Sequence, residues 1–64
     1  MKEKRGSITC NGKVWHVILD KNGEVWFYDE TKHKTNVGQT SPVSTIEEAK
    51  DLALVMLRSL GYCR

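Results

Sequence analysis

Two stretches of the chain concentrate β-branched and aromatic residues between polar turn formers, and a third places its apolar residues at a helical period. Lys13–Asp20 (KVWHVILD) and Glu24–Asp29 (EVWFYD) are rich in β-branched and aromatic residues and read as strong strands. Ser7–Cys10 reads as a shorter first strand, at an edge. The pairs Asn11-Gly12 and Asn22-Gly23 separate the three runs. Asn-Gly suits a two-residue type I′ turn, because both central residues need φ > 0. Near the end, Thr45-Ile46-Glu47-Glu48 is a capping box, with acidic residues in the first turn and Arg58 at the far end. Gly61 can close the helix in a left-handed conformation, with Tyr62 folding back on Leu57. The pattern predicts a helix over about 46–60. The fold class expected is α+β: an antiparallel three-stranded meander packed on one C-terminal helix.

Reading both turns as type I′ sets a register. It places Leu19 opposite Trp26, Ile18 opposite Phe27, Val17 opposite Tyr28 and His16 opposite Asp29. On the other side it places Ser7 opposite His16, Ile8 opposite Trp15 and Thr9 opposite Val14. Directly paired residues share a face. One face then carries Ile8, Trp15, Val17, Leu19, Trp26 and Tyr28, and is expected to be the core. The helix offers Ile46, Ala49, Ala53, Met56, Leu57 and Leu60 to cover it. A single helix covers a single face. Val14, His16, Ile18, Val25 and Phe27 are therefore expected on an open face, an apolar patch with a polar rim of the kind that marks interaction sites. A homodimer through this open face, or a fold-back of residues 30–43 over it, are the plainer alternatives.

Residues 30–43 (ETKHKTNVGQTSPV) are turn formers and charges. They read as a long loop, or as a loop with a weak fourth strand near Thr35–Val37. A structureless stretch of that length is unusual in a small domain, which makes Lys32, His33 and Lys34 candidates for binding a partner. Residues 1–6 read as a flexible basic tail, and 7–64 as a single domain.

Composition narrows the chemistry. A 64-residue chain has a marginal core, and its net charge of +2 neither indicates nor excludes nucleic acid. Its start is charged, and no run is apolar enough to span a membrane, so a cytoplasmic location is expected with Cys10 and Cys63 reduced. No metal site is expected, since two thiols and two histidines lack the usual spacing. Ser7, His16 and Asp29 fall in one cross-strand row, but a flat open sheet supplies no oxyanion hole and no pocket. Neither catalysis nor a cofactor is expected.

Nucleic acid is the main competitor to a protein partner. Lys2, Lys4, Arg5, Lys13, Lys21, Lys32 and Lys34 are the cations that could follow a phosphate backbone. Gly12-Lys13-Val14-Trp15, then Asp20, Gly23, Trp26 and Thr45-Ile46-Glu47-Glu48-Ala49, resemble the three-strands-then-helix pattern of AP2-type and integrase arm-binding DNA domains. The resemblance covers some two thirds of the chain and implies a free sheet face that enters the major groove. The chain departs from that family in two ways. Its free face offers Val14, His16, Ile18 and Phe27 where the family has Arg and Lys, and its connection into the helix is longer. A similar strand-then-helix pattern is found in small bacterial and phage proteins of unknown function. The function expected is therefore a small non-enzymatic protein that binds a protein partner, of the kind phages use to regulate or inhibit host enzymes. A DNA-binding module is the alternative.

Overall fold

A computed structural model describes residues 3–38 and 41–63. Four strands, β1 (Lys4–Cys10), β2 (Lys13–Leu19), β3 (Val25–Tyr28) and β4 (Thr35–Asn36), precede one helix, α1 (Ile46–Ser59). The strands form one antiparallel sheet in the order β1-β2-β3-β4, and α1 packs against its first three strands. The α+β meander is thus present, with the weak fourth strand included. β1 begins at Lys4, so Lys4–Gly6 belong to the sheet and not to a free tail. Lys2, Gln39 and Thr40 lie outside the described residues.

The first turn is a two-residue left-handed turn: Asn11 has φ 52° and Gly12 φ 78°. It sets Ser7 opposite His16, Ile8 opposite Trp15 and Thr9 opposite Val14, as expected.

The second turn is different, and it corrects the register of β3. Of its residues only Gly23 has positive φ (81°). The Asp20 carbonyl accepts the Gly23 amide at 3.1 Å, and the Asp20 amide donates to the Glu24 carbonyl at 3.0 Å. This is a three-residue loop, a type I turn followed by a left-handed glycine. The cause is the Asp20 carboxylate. Its Oδ1 accepts the amides of Asn22 at 2.8 Å and Glu24 at 2.9 Å, which holds the chain in the type I conformation. One extra loop residue shifts the pairing by one. Leu19 pairs with Val25, Ile18 with Trp26, Val17 with Phe27 and His16 with Tyr28. A one-residue slip moves every side chain of a strand to the opposite face. Val25 and Phe27, expected on the open face, are buried in the core, with Phe27 only 2% exposed. Trp26 and Tyr28, expected in the core, lie on the open face.

The core joins Trp15, Val17, Leu19, Val25, Phe27 and Val37 to Ala49, Ala53 and Leu57 of α1. Ala49 and Ala53 are fully buried, so the helix sits close to the sheet. Ile46 and Met56 pack at its margin, while Leu60, expected in the buried stripe, is exposed. The helix ends follow the local chemistry. The Thr45 hydroxyl accepts the Glu48 amide at 3.2 Å, and the Glu48 carboxylate accepts from the hydroxyls of Thr45 and Ser44. At the other end, Tyr62 N–H reaches the Leu57 carbonyl and Gly61 N–H the Arg58 carbonyl, a Schellman closure around Gly61 at φ 84°.

Among the described residues, the 30–43 segment extends the sheet and returns to the core rather than folding over the open face. Val37 enters the core, and its amide donates to the Val25 carbonyl. Pro42 and Val43 then cross Gly23, where Val43 N–H donates to the Gly23 carbonyl at 3.0 Å. A Cβ on Gly23 would lie 2.7 Å from Pro42 Cβ, so this glycine is needed for its approach as well as its φ.

The thiols are also a correction: Cys10 and Cys63 form a disulfide across a Cα separation of 5.6 Å. The Schellman turn carries Cys63 back to the end of β1, which sequence spacing alone could not show.

Two predictions follow from this packing. Phe27→Ala should cost about 3–5 kcal/mol, as for a large aromatic in a core, and Tyr28→Ala clearly less, measured by urea unfolding. The disulfide closes a span of 53 residues. Replacing both cysteines by Ser should therefore lower stability by about 4 kcal/mol if loop entropy dominates. An unchanged urea midpoint would show that the bond adds nothing.

Candidate functional site

The open face is built from alternate residues of three strands. Its rows, read across the sheet, are Arg5–Ile18–Trp26–Asn36, Ser7–His16–Tyr28 and Thr9–Val14. Among the described residues no helix packs on it, because α1 covers the other side. Two aromatic contacts organise it. His16 stacks on Tyr28 with ring centroids 4.9 Å apart. The Trp26 indole N–H donates to Asp20 Oδ2 at 3.3 Å, so the carboxylate that shapes the turn also fixes this ring. The Glu24 amide, ahead of the Trp26 indole and the Asn22 amide, holds the Asp20 carboxyl below its ordinary pKa.

Val14 is 48% exposed, whereas Ile18 is 3% exposed despite lying on this face. Ile18 is flanked in register by Arg5 and Trp26. A shallow groove of about 280 Å³ runs along this row, lined by Glu3, Ile18, Asp20, Trp26 and Lys34.

The structure separates several residues that the sequence grouped together. Of the expected patch, Val14, His16 and Ile18 are on the open face, while Val25 and Phe27 are not. Lys34 lines the open-face groove, and His33 lines a cavity that Phe27 and Leu60 also line. Lys32 sits at φ 63° in a tight turn, its amide bonded to the Asp29 carbonyl at 3.0 Å. Trp26 and Tyr28 were missed. The signal was present in Asp20-Lys21-Asn22-Gly23, since Asp at the first position and Gly at the fourth favour type I over type I′.

The cations are dispersed in the same way. Arg5 is bound to Glu3 at 2.9 Å, and this contact raises its pKa. Lys13 reaches Asp29 at 2.8 Å and lies 4.8 Å from the Trp15 ring centroid, on the helix side of the sheet. Lys21 is in the second turn. The open-face groove contains two carboxylates and one ammonium, a poor match for phosphate.

On the helix side, a cavity of about 320 Å³ opens beside the end of α1. Trp15, Phe27, Leu60 and Tyr62 line it, with Asp29, Thr31, His33 and Thr35. Trp15 packs edge-on against Phe27 and tilts against Tyr62, and its indole N–H is buried without an acceptor among the described residues. Asp29 accepts from Lys13, from the Thr31 hydroxyl at 2.6 Å and from the Thr31 amide at 3.0 Å. Lys13 first, then Thr31, hold its carboxyl far below the usual range. Asp29 therefore does not join Ser7 and His16, and the expected row of three does not form. Among the described residues, no three His, Cys, Asp or Glu side chains are placed to hold a metal, and no helix is long and apolar enough to cross a membrane.

Comparison with family models, with curated proteins and with solved structures returns no match.

The Lys13–Asp29 pair gives a pH prediction. A carboxyl whose folded pKa is depressed contributes stability that is complete above its unfolded pKa, about 4, and is lost as pH falls toward the folded value. The melting temperature should drop below about pH 4. Asp29→Asn should flatten that drop in a thermal melt series. An equally steep fall in the variant would assign acid sensitivity elsewhere.

Proposed function

We propose that this chain is a small non-enzymatic binding protein that engages a protein partner through the open sheet face, with Lys34 of the 30–43 segment at its edge. The observation that carries this reading is the face's composition. Trp26, Tyr28 and His16 form an ordered aromatic surface beside Val14, held in place by a hydrogen bond and a stack. Trp and Tyr in fixed positions are the residues that dominate protein interfaces, because they bury large area at low entropic cost. The groove's two carboxylates against one ammonium, and the ion-paired Arg5 and Lys13, favour this reading over a DNA-binding module, which needs cations converging on one surface. Action as a regulator or inhibitor of an enzyme, as in small phage proteins, is part of the proposal and rests on size and shape alone. A cytoplasmic location belongs to it as well, and then implies that Cys10 and Cys63 meet a reducing pool there.

A photo-crosslinking amino acid at Tyr28, compared with one at Arg58 on the helix, tests this in native cells. One protein should be captured at position 28 and not at 58. Adding His16→Glu should lower that capture on the order of tenfold or more, with the melting temperature nearly unchanged. Lys32→Glu with Lys34→Glu should do less and act mainly on the association rate. Capture of nucleic acid at position 28, or DNA binding that weakens steeply with salt, would support the DNA module and overturn the proposal.

A further inference from the structure

β1 is a sheet edge of seven residues, paired with β2 on one side only. Its bonding parity follows from the first turn. Cys10 and Lys13 close a two-residue turn and form a hydrogen-bonded pair, and bonded pairs then alternate along the ladder. Cys10, Ile8, Gly6 and Lys4 direct their backbone groups to β2. Arg5, Ser7 and Thr9 direct theirs outward, and among the described residues no hydrogen bond reaches those groups.

We propose that β1 pairs antiparallel with β1 of a second copy of this chain, about a two-fold axis at Ser7. Parity is the first argument. Ser7 is the midpoint of Lys4–Cys10, and it is an outward residue. Full-length self-pairing therefore sets Ser7 against Ser7 and Arg5 against Thr9, so that outward groups meet only outward groups. A strand centred on Gly6 or Ile8 would leave part of its length unpaired.

Charge is the second argument. Lys4 and Arg5 sit together at one end of β1. The antiparallel arrangement sets them beside Cys10 and Thr9 of the other copy, whereas a parallel one would set like charges side by side. The third argument is shape on the helix side. Ile8 would stand opposite Gly6 of the second copy, where a missing side chain leaves Ile46 and the Lys50 stem as its neighbours. Ile8 is only half-buried in the single chain.

The edge also lacks the usual protection. Its register with β2 is unbroken by a bulge, and from Gly6 to Cys10 it carries neither proline nor charge. β4, at the other edge, is two residues long and protected by its shortness. Arg5, Ser7 and Thr9 have their side chains on the open face. The pairing would therefore make the open faces of two copies continuous, whatever partner that face engages.

Sedimentation equilibrium of the full chain with its disulfide intact tests the pairing. The protein should show a monomer–dimer equilibrium. Ser7→Pro removes only an outward amide, so circular dichroism should stay native while the dimer dissociation constant rises at least tenfold. Ser7→Cys provides a second measurement that does not depend on the proline variant folding. Paired Cα atoms about 5.5 Å apart lie within disulfide reach, so mild oxidation should give a covalent dimer. Arg5→Cys alone should not, but mixed with Thr9→Cys it should. A chain that stays monomeric at its highest soluble concentration overturns the proposal. So does a dimer that neither responds to Ser7→Pro nor crosslinks through Ser7→Cys.

Discussion

The Asp20 carboxylate determines which side of β3 becomes core. It accepts the Asn22 and Glu24 amides inside the turn and the Trp26 indole N–H outside it. The first two contacts select a three-residue loop over a two-residue one. The third fixes Trp26 on the face that this loop creates. Turn geometry and face identity are thus coupled through one side chain. Each such bond is modest by itself, because the carboxylate remains open to solvent. Together they decide between two registers whose hydrophobic content is nearly equal, since Val-Trp-Phe-Tyr is apolar at every position.

Closure of the core depends on how near other elements can approach that sheet. α1 does so with Ala49 and Ala53, and the 41–45 segment does so over Gly23. Trp15 then fills the space toward the C-terminus, between Phe27 and Tyr62. The Schellman turn and the Cys10–Cys63 bond hold Tyr62 there. For a chain this short, a covalent tie between the first strand and the last residues compensates for limited apolar burial.

What was legible in the sequence was local. Asn11-Gly12, the Thr45–Glu48 cap and the Gly61 closure all depend on residues a few positions apart, and each forms as its chemistry requires. The Asn22-Gly23 turn was misread because the same dipeptide serves two turn types. The deciding residue, Asp20, lies outside the dipeptide. That single shift displaced Val25 and Phe27 from the open face and put Trp26 and Tyr28 there. The 30–43 segment was misread for a different reason. Val37 and Pro42 find their partners only once β3 and Gly23 are in place, a tertiary contact that no local pattern announces. The disulfide is of the same kind, joining residues at opposite ends of the chain.

Half-burial on the open face has a physical reading of its own. Ile18 is nearly as buried as a core residue, yet the only large groups beside it in register are Arg5 and Trp26. Arg5 is in turn anchored by Glu3, and Trp26 by Asp20. The face is therefore preorganised: its aromatic groups already occupy fixed positions, and little side-chain entropy remains to be lost on contact with a partner. The proposed partner contact draws on this fixed arrangement of half-buried rings, in which Trp26 and Tyr28 need not be reordered before contact.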